Sequence, residues 1–170
     1  LHRLQQRADF DSLTGLLTKD AAIRHIEASL SMLSPEHDAA MMLLLDADGF
    51  KAINDNFGHL FGDGVLAKMG HTIKHHFRHS DIKGRIGGDE FVVIMTEVSE
   101  AVVLEAWQQV ELELIEESRR LPYCYWITSS HGVATRAAGE EKSLEALVRE
   151  ADQAMYLCKQ KFKKEMHDVR

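Results

Sequence analysis

The sequence predicts one domain of α+β or α/β class, with a central sheet covered by helices. Three observations carry this. The chain is 170 residues long, the size of one domain. Two unbroken apolar runs, Ala39–Leu45 and Phe91–Met95, have the length of strands buried on both faces. Between and around them, apolar residues recur at helical spacing.

The elements follow in order. Leu1–Asp9, with Leu1 and Leu4 three apart, reads as the end of a connecting helix, and residues 10–170 as the folded domain. Ile23, Ile26, Leu30 and Leu33 mark a first helix, with Asp20 as its expected N-cap. Ala39–Leu45 is the first strand and ends at Asp46. Leu66, Met69, Ile73 and Phe77 mark a long second helix. Asp81–Ile86 and Phe91–Met95 are β-like and flank Gly87-Gly88, a hairpin signal that calls for positive φ. Val103, Ala106, Val110 and Leu114 mark a third helix, with Trp107 in its core stripe. Tyr125–Ala134 is rich in aromatic and β-branched residues, as strands are. Leu144, Leu147, Val148, Ala151 and Met155 mark a last helix capped by Ser143. Pro35 and Pro122 fall between elements.

Composition excludes several classes. Hydrophobic residues are 45% of the chain, too many for intrinsic disorder. No apolar run approaches the roughly 20 residues of a membrane helix, and no segment has a signal-peptide layout. The net charge of −7 opposes sequence-blind binding to nucleic acid. Cys124 and Cys158 make no disulfide framework and suit a reducing, cytoplasmic compartment. The chain begins at Leu1 rather than Met, which suggests a piece of a longer, membrane-anchored or otherwise regulated protein.

Acidic residues gather at two places. Asp46 ends the first strand, and Asp48 and Lys51 follow. This reads either as a helix start, with Asp48 as cap, or as a ligand site at the sheet rim. Asp89 and Glu90 sit in tandem at the hairpin tip, where they repel unless solvated or bridged by a cation. Convergent carboxylates without cysteine favour a hard cation such as Mg²⁺, which usually also meets substrate phosphates. There is no P-loop pattern. His71 and His75 are spaced for zinc, but nothing nearby completes a tetrahedral set, so an exposed helix face is the reading.

These residues resemble the GGDEF family, the diguanylate cyclases. Gly87-Gly88-Asp89-Glu90-Phe91 matches its signature. Asp11-Ser12-Leu13-Thr14-Gly15-Leu16 is similar to its opening motif. Asp46-x-Asp48-x-Phe50-Lys51-x-x-Asn54-Asp55-x-x-Gly58-His59-x-x-Gly62-Asp63 is similar to its second. Ile127–Ala134 and Ala151–Lys159 resemble its late strand and last helix. The motifs run in family order from about Phe10 to Lys159.

The resemblance implies an α+β fold with a mostly antiparallel sheet, related to nucleotide cyclases and polymerase palms. It implies condensation of two GTP into cyclic di-GMP and two pyrophosphates by a head-to-tail homodimer, under an upstream sensory domain. Asp46, the Ala47 carbonyl, Asp89 and Glu90 would hold two Mg²⁺ or Mn²⁺ ions. Asp89, Glu90 and Lys51 would serve the chemistry. Gly87 and Gly88 would let the backbone approach the nucleotide, and Lys159 and Lys163 would take its phosphates. Asn54 and Asp63 would read guanine, with His59 near base and ribose. A carboxylate accepts guanine's paired donors, which adenine lacks. Arg78-x-x-Asp81 lies five residues before Gly87, where the family binds its product as inhibitor. Three departures stand out. Gly49 replaces a bulky residue. Lys163 replaces an arginine and loses its fork. Phe162 replaces a glycine, so the segment is expected to take another path.

Overall fold

A computed structural model describes residues 8–34, 39–120 and 127–168. The first helix, α1, spans Lys19–Met32, and β1 spans Ala40–Ala47. Helices α2 (Phe50–Phe57) and α3 (His59–His76) follow, then strands β2 (Ile82–Arg85) and β3 (Glu90–Thr96). Helix α4 (Glu100–Ser118), strand β4 (Ser129–Arg136) and helix α5 (Leu144–Asp168) complete the described chain. The four strands are ordered β2-β3-β1-β4, and every pairing is antiparallel.

Strand β1 lies in the middle and is buried along its whole length. Side chains alternate across a strand, so its apolar run feeds two cores. Met41, Leu43 and Leu45 face α3 and α4, with Met69, Ile73, Trp107 and Leu114. Met42 and Leu44 face α1 and α5, with Ile26, Leu147, Ala151 and Met155. Helix α5 packs tightly on β4. A side chain on Gly132 would put its Cβ 2.0 Å from the Ala151 carbonyl oxygen. The segment before α1 covers the outer edge of β2, because the Leu17 N–H donates to the Lys83 carbonyl at 3.1 Å and the Arg85 N–H to the Leu17 carbonyl at 2.9 Å. No helix among the described residues is long and apolar enough to cross a membrane.

Several local expectations are corrected. The N-cap of α1 is Thr18, whose hydroxyl accepts from the Ala21 N–H, and Asp20 lies in the first turn. Asp48 does not occupy the N-cap of α2. That position is Gly49, at φ 63°, in the left-handed region where glycine is unstrained, and it makes no side-chain cap. Gly49 therefore suits the path its turn takes. Gly87 and Gly88 are not among the positive-φ glycines, so the hairpin tip turns without that device. Around Phe162 the chain is helical, because α5 continues to Asp168. Val148 is 39% exposed rather than core. Ser143 caps α5 as expected, accepting from the Ala146 N–H at 3.2 Å. Leu1–Arg7 and the start of the Tyr125–Ala134 segment lie outside the described residues.

Candidate active site

The end of β1 and the tip of the β2–β3 hairpin lie side by side. Asp46 stands opposite Glu90 in the antiparallel register. The Ala47 N–H donates to the Asp89 carbonyl at 3.1 Å. One sheet rim thus carries Asp46, Asp89 and Glu90. Helix α5 brings Lys159 to the same point, where its ammonium donates to the Asp46 carboxylate.

Asp46 is 4% exposed. Burial pushes its carboxyl up to about 7, the attraction of Lys159 opposes this, and the hydrogen bond and charge of Asp89 add to the rise. Burial prevails because one partly exposed ammonium does not replace the water this carboxylate has lost. Burial lowers the Lys159 ammonium, but its bond to Asp46 and the fields of Asp46, Asp89 and Glu90 outweigh this and raise it. Carboxylate oxygens are the donor type a hard cation takes.

The hairpin tip is held from outside. Arg85 Nη2 donates to the Gly88 carbonyl at 2.8 Å, and its Nε reaches the carbonyls of Gly88 at 3.1 Å and Gly87 at 3.2 Å. Its Nη1 meets the Asp11 carboxylate at 3.2 Å. Asp11 in turn accepts from the Thr14 N–H at 2.9 Å and the Thr14 hydroxyl at 2.7 Å. Burial works to raise Asp11, but Thr14 and Arg85 outweigh it and hold the carboxyl below its ordinary value. The opening motif thus anchors the signature motif. Sequence reasoning assigned no role to Arg85 or Asp11. The spacing of Asp11 and Thr14, which suits a side chain bonding its own turn, was the available signal.

The remaining candidates are placed as follows. Lys51 is exposed on the first turn of α2, which starts where β1 ends. Asn54 lies on α2. Its Oδ1 is buried without a hydrogen-bond partner among the described residues, and a Cβ on Gly62 would stand 1.9 Å from it. Asp63, next to Gly62, is exposed on α3, as is His59 at that helix's start. Gly87 and Gly88 are exposed, and a Cβ on Gly88 would meet nothing within 4 Å. Lys163 is exposed on α5, one helical turn beyond Lys159 and on the same face.

Arg78 and Asp81 stand apart, at the opposite end of the sheet. Asp81 is buried and accepts from the Arg78 N–H at 2.8 Å, Nε at 3.0 Å and Nη2 at 2.8 Å. The same Nη2 donates to the Thr96 carbonyl at 2.9 Å. Among the described residues, no three His, Cys, Asp or Glu side chains are gathered as a metal-holding cluster, and at the rim the Lys159 ammonium occupies the Asp46 carboxylate. His71 and His75 are exposed, and His76 bonds Glu113 at 2.5 Å across α3 and α4.

The fold and this rim define an α+β domain with acidic side chains and a lysine gathered at one end of its sheet. The chain belongs to the diguanylate cyclase, GGDEF domain family, whose sequence profile matches residues 8–165. It is 35% identical over 160 residues to the diguanylate cyclase DgcP of Pseudomonas aeruginosa, covering 91% of this chain and 23% of that protein. It is 33% identical over 159 residues to the cyclic di-GMP phosphodiesterase PdeR of Escherichia coli, covering 93% of this chain and 23% of that protein. The chain therefore spans about a quarter of the length of these relatives. The crystal structure of the GGDEF domain of DgcB from Caulobacter crescentus, in complex with c-di-GMP, superposes with a TM-score of 0.82 at 27% identity, covering 90% of this chain and 91% of that one.

Proposed function

We propose that this domain condenses two GTP molecules into cyclic di-GMP and two pyrophosphates, in a head-to-tail pair of copies each holding one GTP. The observation that carries this is the juxtaposition of Asp46 with the hairpin-tip acids, bridged by the 3.1 Å bond from Ala47 to Asp89. In each half-reaction a 3′-hydroxyl attacks the α-phosphorus of the facing GTP. A phosphodiester bond forms, the bond to pyrophosphate breaks, and the hydroxyl proton passes to solvent water.

Asp46, the Ala47 carbonyl, Asp89 and Glu90 are the residues that would hold Mg²⁺ or Mn²⁺. Such ions supply charge neutralisation of the triphosphate and acidification of the attacking hydroxyl. The fit rests on the Asp46 carboxyl, raised first by burial and then by Asp89 beside it, since a bound cation would compensate the charge that burial disfavours. Asp89 and Glu90 orient the reacting groups at the tip, and the bare Gly88 leaves room for the nucleotide. Lys51 supports phosphate charge, and Lys159 and Lys163 bind the distal phosphates from one helix face. Asn54, with its unpartnered buried oxygen, and exposed Asp63 take the guanine edge, and His59 flanks the base and ribose. Arg78 offers guanidinium donors to bound product while the buried Asp81 holds it in orientation, which is how this pair would serve as a brake.

A second reading, a nucleotide or cyclic di-GMP sensor or a dimerising adaptor, draws support from the phosphodiesterase relative. Incubation with GTP and Mg²⁺, with products read by mass spectrometry, separates the readings. The expected result is cyclic di-GMP at a rate per molecule that rises with protein concentration, and no product from ATP. Binding without turnover would favour the sensor, and no nucleotide binding would leave the adaptor.

Arg85 gives a further prediction. Arg85→Ala is expected to slow product formation about tenfold to a hundredfold, because a tip displaced by roughly 1 Å loses its near-attack geometry. Steady-state rates measured beside a thermal melt check this. The melting midpoint is expected to shift by only a few degrees, since the Arg85–Asp11 pair is partly exposed.

A further inference from the structure

Asp48 is two residues past Asp46 and belongs to neither the metal set nor the phosphate set described above. Its Oδ1 accepts from the Ser130 hydroxyl at 2.6 Å, and its Oδ2 from the Thr128 hydroxyl at 3.0 Å. Its own N–H donates to the Thr128 carbonyl at 3.0 Å. Three bonds therefore tie the β1–α2 turn to the start of β4, across 80 and 82 residues of sequence. Ser130 is 1% exposed and stands opposite Asp46 in the sheet register, so the anchor is rigid and adjoins the acidic rim.

We infer that Asp48 is a positioning residue: clamped by Thr128 and Ser130, it sets the turn that carries the Ala47 carbonyl on one side and Lys51 on the other. The inference deepens the cyclase reading and rests on it. Its chemistry favours a carboxylate. Two hydroxyls donate to two different oxygens, and an ionised carboxylate accepts at both while offering no competing donor. An Asn at this position keeps one acceptor oxygen and turns an N–H₂ toward the other hydroxyl. The residues beyond the clamp depend on it, because Gly49 adopts a left-handed conformation and α2 has no side-chain cap to define its start. Although Asp46 and Asp48 form an Asp-x-Asp pair, they are directed differently. Asp46 meets Asp89 and Lys159, whereas both oxygens of Asp48 meet hydroxyls of the β4 segment.

The test compares the wild-type domain with Asp48→Asn, with the pair Thr128→Val and Ser130→Ala, and with all three changes together. Two readouts are taken: the Mg²⁺ dependence of product formation, and hydrogen exchange of the 47–53 segment without nucleotide. Asp48→Asn and the hydroxyl pair are each expected to lower kcat about tenfold or more. Each is expected to raise the Mg²⁺ concentration for half-maximal rate several-fold and leave KM for GTP within about twofold, while exchange in 47–53 quickens and the rest of the sheet stays protected. The triple variant is expected to be no worse than the worse parent, because residues that act as one unit are not additive. A silent hydroxyl pair beside an impaired Asp48→Asn would mean that Asp48 acts directly, and would overturn the inference. So would independent, multiplying losses. If the wild type forms no product, the cyclase reading fails, and unchanged exchange in 47–53 would separately refute the clamp.

Discussion

Asp46→Asn is expected to stabilise the metal-free protein at pH 8 while abolishing product formation. The Asp46 carboxyl moves from 3.8 when unfolded to about 7 in the fold, through burial first. The folded state then binds a proton more tightly than the unfolded state. Stability is complete below about pH 4, falls as pH rises through the window from 3.8 to about 7, and is lowest above it. At ~1.4 kcal/mol per unit of pKa, the full cost above that window approaches roughly 4 kcal/mol. Asn carries no charge to desolvate, and the Lys159 attraction is already contained in that net shift, so the gain at pH 8 is of the same size, roughly 4 kcal/mol at most. At pH 4 the two proteins are expected to unfold together. Urea unfolding at both pH values in a chelator measures this. A loss of stability at every pH would show that Asp46 is a structural partner of Lys159 rather than a strained ligand. Activity is lost in either case if the cation site is correctly placed, because the amide replaces the most buried ligand of the set. A destabilised functional group of this kind is a familiar exchange of stability for activity.

The other large effect is on the fold. Gly132→Val is expected to cost more than about 4 kcal/mol and lower the unfolding midpoint by roughly 10 °C or more. A Cβ there would stand 2.0 Å from the Ala151 carbonyl oxygen and 2.4 Å from the Met155 nitrogen, both backbone atoms of α5. The backbone of α5 does not yield as a flexible side-chain tip does, so the helix must lift from β4. Lys159 and Lys163 travel with it. Even Gly132→Ala is expected to melt several degrees below wild type. A thermal melt of both variants tests this, and an alanine tolerated without change would mean that the helix and sheet approach less closely than described.

Much of this architecture is legible in the linear chain. The run Ala39–Leu45 states that β1 is buried on both faces, since only a central strand covered by two layers lacks a polar side. The stripes of α3, α4 and α5 name most of their buried residues, because a 3.6-residue period is local information. The order of the motifs identifies the family, and with it the expectation that residues 46 and 89 meet. Less legible are features that depend on distance rather than pattern. Asp20 and Asp48 have the chemistry of helix caps, yet Thr18 and Gly49 hold those positions, because the chain's entry path chooses the cap. The hairpin tip turns without a positive φ at Gly87 or Gly88, and Arg85, close in sequence but fixed by Asp11 far away, binds its carbonyls from outside.

The sequence by itself determined the period of every long helix, the burial of the central strand and the set of residue types available for chemistry. Each of these is set by neighbours a few positions apart. Tertiary structure alone decided which polar groups face one another: Lys159 on Asp46 across 113 residues, Arg85 on Asp11 across 74, and the Ser130 hydroxyl on Asp48 across 82. Electrostatic energy depends on separation and on exclusion of water, and neither is defined until the strands are in register and the helices have closed over them.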